Sequence, residues 1–171
     1  LTLGYNGLGR LNGNETGSVV PGGGQGQGGA WGETGIFRMF ESAQGGQIAW
    51  LLPLALVLFV VGLWVTRPAA RTSTIRASYI AWGGWLVATA LTFSFMQGIF
   101  HQYYTVALAP AIAALVGAGL IDAHRSTSRV IHTVLAASVL GSSIWAYILL
   151  NRSSDFLPWL KFVVVAAGVI T

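Results

Sequence analysis

Cysteine is absent from the 171 residues, which excludes disulfides, iron–sulfur clusters and thiolate zinc sites within the chain. Charge is almost as scarce. Asp, Glu, Lys and Arg together make up 8% of the residues, where soluble domains carry about 25%. That leaves too little polar surface to cover a water-soluble fold. Also missing is the period-two alternation that strands of a membrane barrel require. What fills the chain is apolar: 54% of it is hydrophobic and the mean hydropathy is +0.66. These residues gather in runs of roughly 20, the length that spans the hydrocarbon core of a bilayer. Unalternating runs of that length form helices, because in lipid each backbone polar group must be satisfied within the structure.

The sequence therefore predicts an all-α polytopic membrane protein. Its first 46 residues are a polar, glycine-rich loop, and residues 47–171 are transmembrane helices. Four full spans are expected at about 47–66, 77–97, 102–121 and 130–150, with a fifth beginning near 156 and still running at 171. The chain opens at Leu1 with neither methionine nor signal-peptide pattern and stops within an apolar run. It reads as an internal or C-terminal piece of a longer protein.

Positive charge orients the spans. Arg67, Arg71 and Arg76 fill the first inter-helix loop, and His124, Arg125 and Arg129 the third, against Asp122. The second loop, around Gly98–Gln102, has no Lys or Arg, and in the fourth Arg152 is offset by Asp155. Rich and poor loops alternate, as a threaded chain requires. Loops one and three are expected in the cytoplasm, in a plasma membrane, and residues 1–46 outside with the Ile99–Gln102 corner. Because the basic residues flank apolar runs, the net charge of +4 signals a lipid bilayer and not nucleic acid. Lys161, several residues into the fifth span, is expected to snorkel back to the outer interface. The third span carries small-xxx-small pairs, Ala113 with Gly117 and Ala114 with Ala118, which favour close helix approach and a central position. Pro110 in the same span removes one backbone hydrogen bond and is expected to kink it.

Two outer segments carry chemistry. The first is Gly4-Tyr5-Asn6-Gly7-Leu8-Gly9-Arg10. It lacks the flanking strand, helix and distant acid of a dinucleotide turn, and reads as a glycine-built loop presenting Asn6 and Arg10 to a polar head group. Arginine suits phosphate because its planar fork donates two parallel hydrogen bonds. The second is Phe100-His101-Gln102-Tyr103-Tyr104, where an outer loop runs into the third span. Interfacial tyrosines commonly form an aromatic belt. His101, however, is the only histidine expected outside, and an imidazole there can bind a phosphate or a sugar hydroxyl. Further on, Ile36, Phe37, Met39 and Phe40 around Arg38 and Glu41 fit a short helix lying in the membrane interface, with Arg38 and Glu41 spaced to pair. None of Glu15, Glu33, Glu41 or Asp155 stands out as a catalytic base. His124 and His132 have no partners at metal-ligand spacing.

GYNGLGRLNG, a polyglycine stretch, WGETGIFRMF, GGQIAWLLP and FSFMQGIFHQYYTVALAPAIAALVG together resemble a bacterial branch of the family 39 glycosyltransferases. These are GT-C membrane enzymes similar to protein O-mannosyltransferases and to the lipid A aminoarabinose transferase. The resemblance runs from Leu3 to about Leu160. It implies transfer of a sugar, mannose-like or another hexose, from a polyprenyl-phosphate carrier to an extracytoplasmic glycan, lipid or protein. It implies further that the catalytic acid lies in a first outer loop not contained in this chain, and that Arg10, His101, Tyr103 and Tyr104 meet the carrier phosphate or sugar. Where relatives often place a cation near the start of the matching span, this sequence has His101. A divalent cation is left open as a cofactor, with no ligand set in the sequence to hold it. The rival readings are a transporter or flippase subunit and a non-catalytic membrane scaffold. The near-absence of ionisable residues at mid-span weighs against ion coupling.

Overall fold

The computed structural model describes residues 7–13, 32–98, 100–153, 155 and 157–170. All regular structure among them is helical, as the sequence predicts. In chain order the elements are α1 (Gly9–Asn12), a 3-10 turn (Arg38–Phe40), α2 (Gly45–Ile48), α3 (Leu52–Thr66), α4 (Thr74–Phe95), a 3-10 segment (Gln102–Leu108), α5 (Ala109–Arg125), α6 (Arg129–Asn151) and α7 (Leu160–Ile170). Two continuous helical stretches are long and apolar enough to cross a membrane, Gln102–Arg125 and Arg129–Asn151. The apolar helices α3 and α7 are shorter. At 22 residues, α4 is about 33 Å long at 1.5 Å per residue.

Local chemistry explains where the helices begin. Pro53 and Pro110 occupy the first turns of α3 and α5, where a missing N–H costs nothing. The kink expected at Pro110 is thus a change of helix type: the chain winds as a 3-10 helix through Leu108 and as an α-helix from Ala109. Ser73 caps α4 by accepting a hydrogen bond from the Arg76 N–H (3.3 Å). The last turn of α5 carries His124 and Arg125, cations placed against the negative end of the helix dipole.

Helix α3 packs against α4, α5 and α6, and α7 lies along α6. Glycines set the seams. The Tyr79 ring of α4 lies on Gly62 of α3, and the Phe59 ring of α3 lies on Gly83 of α4. A Cβ at Gly119 would come within 2.8 Å of the Leu58 Cβ of α3. The buried stripe of α5 is Ala111, Leu115, Gly119 and Ala123, so α5 shares the centre of the bundle with α3. Of the pairs expected to make that contact, Ala114 and Ala118 are half-buried, with Ala118 packed on the core, and the other pair does not make it. Ala113 and Gly117 face outward, and a Cβ at Gly117 would touch nothing within 4 Å. The outer surface is apolar, with Val60, Ile80, Phe95, Val106, Ile121, Val130, Phe162 and Val169 all exposed. An apolar surface of that extent is one that lipid or another protein covers.

Short connections put alternate helix ends together. At one end, the Tyr79 hydroxyl donates to Asp122 Oδ2 (2.8 Å) and the His132 ring lies 3.0 Å from the Ala123 carbonyl. The arginine-rich loops are at this end. At the opposite end, residues 7–13, the 32–51 segment and the corner after α4 converge. Here the expected interfacial helix is reduced to one 3-10 turn, and Arg38 and Met39 are buried. Ile36 and Phe37 are exposed instead. Lys161 donates to Asn151 Oδ1 (2.7 Å) beside the rings of Tyr147 and Phe162.

Candidate functional site

The glycine-rich head reaches the corner after α4 through its backbone. Helix α1 ends at Gly13, whose φ of +77° is the left-handed conformation that glycine adopts without cost. This turn leaves the α1 carbonyls directed at the corner: the Gln97 N–H donates to Leu11 O (3.2 Å) and the Gly98 N–H to Arg10 O (2.9 Å). Both segments are thereby held at one end of the bundle.

On that frame, Arg10 Nη1 donates to the Tyr104 hydroxyl at 3.0 Å, across 94 residues of sequence. Tyr104 is the hub of an aromatic cluster. Its ring is edge-on to Tyr103 (centroids 4.7 Å), His101 (5.7 Å) and Phe100 (5.9 Å). The His101 and Tyr103 rings are stacked nearly parallel, 5.2 Å apart at 8°, and Tyr103 is 66% exposed. Four of the five residues singled out in the sequence, Arg10, His101, Tyr103 and Tyr104, therefore stand together. Asn6 lies outside the described residues. Chemically the cluster offers a guanidinium and a phenol as hydrogen-bond donors next to a stacked pair of a half-buried imidazole and an exposed phenol. Phosphate suits the former; the apolar face of a sugar ring or an interfacial lipid suits the latter.

A second set of residues escaped the sequence reading. Arg38, 2% exposed, points inward and not toward solvent. Its Nη1 donates to Phe93 O (3.0 Å) and Met96 O (2.7 Å), and its guanidinium lies over the Phe100 ring at 4.6 Å. Burial pulls its pKa below the ordinary guanidinium value, against the opposing pull of the Glu41 charge. The Glu41 carboxylate accepts the Glu33 N–H (3.1 Å). Arg152, at the end of α6, donates to Phe40 O (3.0 Å) and Glu41 O (3.2 Å) and covers Trp145. The Trp145 indole N–H in turn donates to Ala49 O (3.0 Å). The only sequence signal for Arg38 was its setting: a lone cation between Ile-Phe and Met-Phe in a chain with few charges. Among the described residues, no three His, Asp or Glu side chains gather into a metal-binding group.

Two curated relatives resemble the chain, both from Bacillus subtilis (strain 168). It is 41% identical over 96 residues to "Putative mannosyltransferase YycA", an alignment covering 55% of this chain and 14% of that protein. It is 33% identical over 129 residues to "Putative mannosyltransferase YkcB", covering 72% of this chain and 18% of that protein. The chain thus spans less than a fifth of the length of the curated relatives it matches. No family model and no solved structure matches it.

Proposed function

We infer that this chain is part of a GT-C-type integral membrane glycosyltransferase of the family 39 kind, which moves a mannose-like sugar or another hexose from a polyprenyl-phosphate carrier to an extracytoplasmic glycan, lipid or protein. The observation that carries the reading is the Arg10–Tyr104 hydrogen bond beside the stacked His101–Tyr103 pair, on a bundle whose relatives are named mannosyltransferases. The organisation that goes with it is an extracytoplasmic head over residues 1–46, then four full spans and the beginning of a fifth over residues 47–171, in a plasma membrane. A carrier's apolar tail stays in lipid while its phosphate rests at the interface. A site for it needs cationic and hydroxyl donors at that depth and an aromatic face for the sugar. Donors held in place before reaction stabilise the charge that develops on the leaving phosphate. Arg10 and Tyr104 are such donors, and His101 with Tyr103 is such a face. Asn6 belongs with them by its place in the head motif. The catalytic carboxylate belongs to a part of the enzyme outside this chain, and a divalent cation finds no group of three His, Asp or Glu side chains among the described residues.

The test is sugar transfer in membranes containing the intact protein. Arg10→Ala and His101→Ala are each expected to lower the transfer rate by about tenfold or more, the scale on which a single preorganised donor acts, while protein level and membrane insertion hold. Wild-type rates in both variants would remove these residues from the site.

A further inference from the structure

The end of α4 raises a question of accounting. The last four carbonyls of an α-helix have no partner within the helix, and buried ones must find a partner elsewhere. Here Thr92 O accepts the Met96 N–H (2.9 Å) and Ser94 O accepts the Gly35 N–H (2.8 Å). Phe93 O and, one residue past the helix, Met96 O both accept from Arg38. A segment 55 to 58 residues earlier in the chain thus caps α4, with a cation at the negative end of its dipole. The same guanidinium covers Phe100, which is 0% exposed and packs between Phe93 (centroids 5.1 Å) and Tyr104 (5.9 Å). The strap is anchored on its other side as well, since Arg152 of α6 holds the Phe40 and Glu41 carbonyls.

We propose that Arg38 is a positioning residue for the head-group corner, fixing the C-terminal end of α4 and the Phe100 ring so that Tyr104 is held against Arg10. The chain of contacts is continuous: Arg38 to Met96 O and Phe100, Phe100 to Tyr104, Tyr104 to Arg10. An ordinary apolar side chain at position 38 could fill the space. It could not satisfy two carbonyls and cover a ring at once. Lysine could keep the charge and donate to the carbonyls, but it has no planar guanidinium to lie over the Phe100 ring. The functional half of this inference rests on the glycosyl-transfer reading; the structural half does not.

Two measurements on the intact protein in lipid nanodiscs separate them. In Arg38→Met, amide hydrogen exchange is expected to quicken about tenfold or more across residues 94–104, with α6 unchanged, as for a local opening and not global unfolding. Sugar transfer is expected to lose about tenfold or more in kcat with little change in donor KM, because small misplacement of reacting groups costs rate steeply. Arg38→Lys should fall between wild type and Arg38→Met. Adding Arg10→Ala to Arg38→Met should cost less than the product of the single effects, since both act through Tyr104. Should Arg38→Met fail to fold, Phe100→Leu removes the covered ring, leaves both carbonyl bonds, and is expected to give the same confined exchange. Unchanged exchange at 94–104, or equal quickening in α6, overturns the proposal. So does local opening with wild-type kcat. Absence of sugar transfer from the wild-type protein overturns the glycosyl-transfer reading instead, and the exchange result still decides the role of Arg38 in holding the corner.

Discussion

At the scale of single residues, the decisive contrast is between two arginines. Arg10 was read as a ligand-facing group from the glycines and asparagines around it, and the structure sets it on α1 against Tyr104. Arg38 was not legible, because its fate depends on which carbonyls lie within reach, and those carbonyls belong to a helix end more than 50 residues away. The spacing that suggested an Arg38–Glu41 pair is a helix-surface argument; the Glu41 charge does act on Arg38, but that spacing says nothing of the two α4-end carbonyls that the guanidinium also meets. The tyrosines were legible by type, as interfacial aromatics, but not by role, since only the fold separates exposed Tyr103 from Tyr104, which receives Arg10. That division makes a prediction. Tyr104→Phe keeps the ring contacts and removes the hydroxyl that Arg10 meets. It should cost about 1 kcal/mol of stability, the usual worth of one hydrogen bond, read as a small fall in the thermal midpoint in detergent. Its transfer rate should approach that of Arg10→Ala, because both changes break the same bond. A Tyr104→Phe protein as active as wild type would show that the bond is only structural.

At the scale of elements, length and apolar character marked the two helices that are long and apolar enough to cross a membrane. Residues 102–121 and 130–150 reappear as Gln102–Arg125 and Arg129–Asn151. The run at 47–66 is broken between Ile48 and Leu52, where Ala49 O is occupied by the Trp145 indole N–H. Pro53 marks that break in the sequence, since it has no N–H to offer Ala49 O; the partner that α6 supplies instead was not legible. Helix faces were harder still. Small residues occur on every side of α5, so small-xxx-small spacing alone did not select the face that meets α3. Packing selects Gly119, against Leu58. Gly119→Val should therefore overpack the α3–α5 seam and cost about 1–3 kcal/mol. Gly117→Ala, on the open face, should be neutral or stabilising by up to about 1 kcal/mol through helix propensity. Thermal unfolding of the two variants in the same detergent checks the pair. If Gly117→Ala proves the more damaging, the close seam is on the other face of α5.

At the scale of the whole molecule, two independent lines meet. Arginine distribution is the ground for proposing that residues 1–46 and the His101 corner share one side of a bilayer, from charge alone. Packing puts residues 7–13 and the His101 corner at one end of the bundle, from the Gly98–Arg10 and Arg10–Tyr104 hydrogen bonds. The arginine-rich loops lie at the far end, where Tyr79 meets Asp122. Charge carries no information about distance, and packing carries none about which end faces outward, so neither line could have produced the other. A site for a lipid-linked sugar needs both. The absence of native cysteine makes the sidedness directly measurable, because any introduced thiol is the only one in this chain. Asn12→Cys and Gln102→Cys should react with a membrane-impermeant maleimide added to intact cells. Thr72→Cys and Thr127→Cys, in the two arginine-rich loops, should react only after the membrane is opened. Labelling of the loop pair alone would place Arg10 and His101 where no extracytoplasmic acceptor can reach them, and labelling of all four from outside would overturn the assignment of the two ends to opposite sides of a membrane. Labelling of Asn12→Cys without Gln102→Cys would contradict the packing itself, since Arg10 and Gly98 share a 2.9 Å hydrogen bond and cannot lie on opposite faces of a membrane.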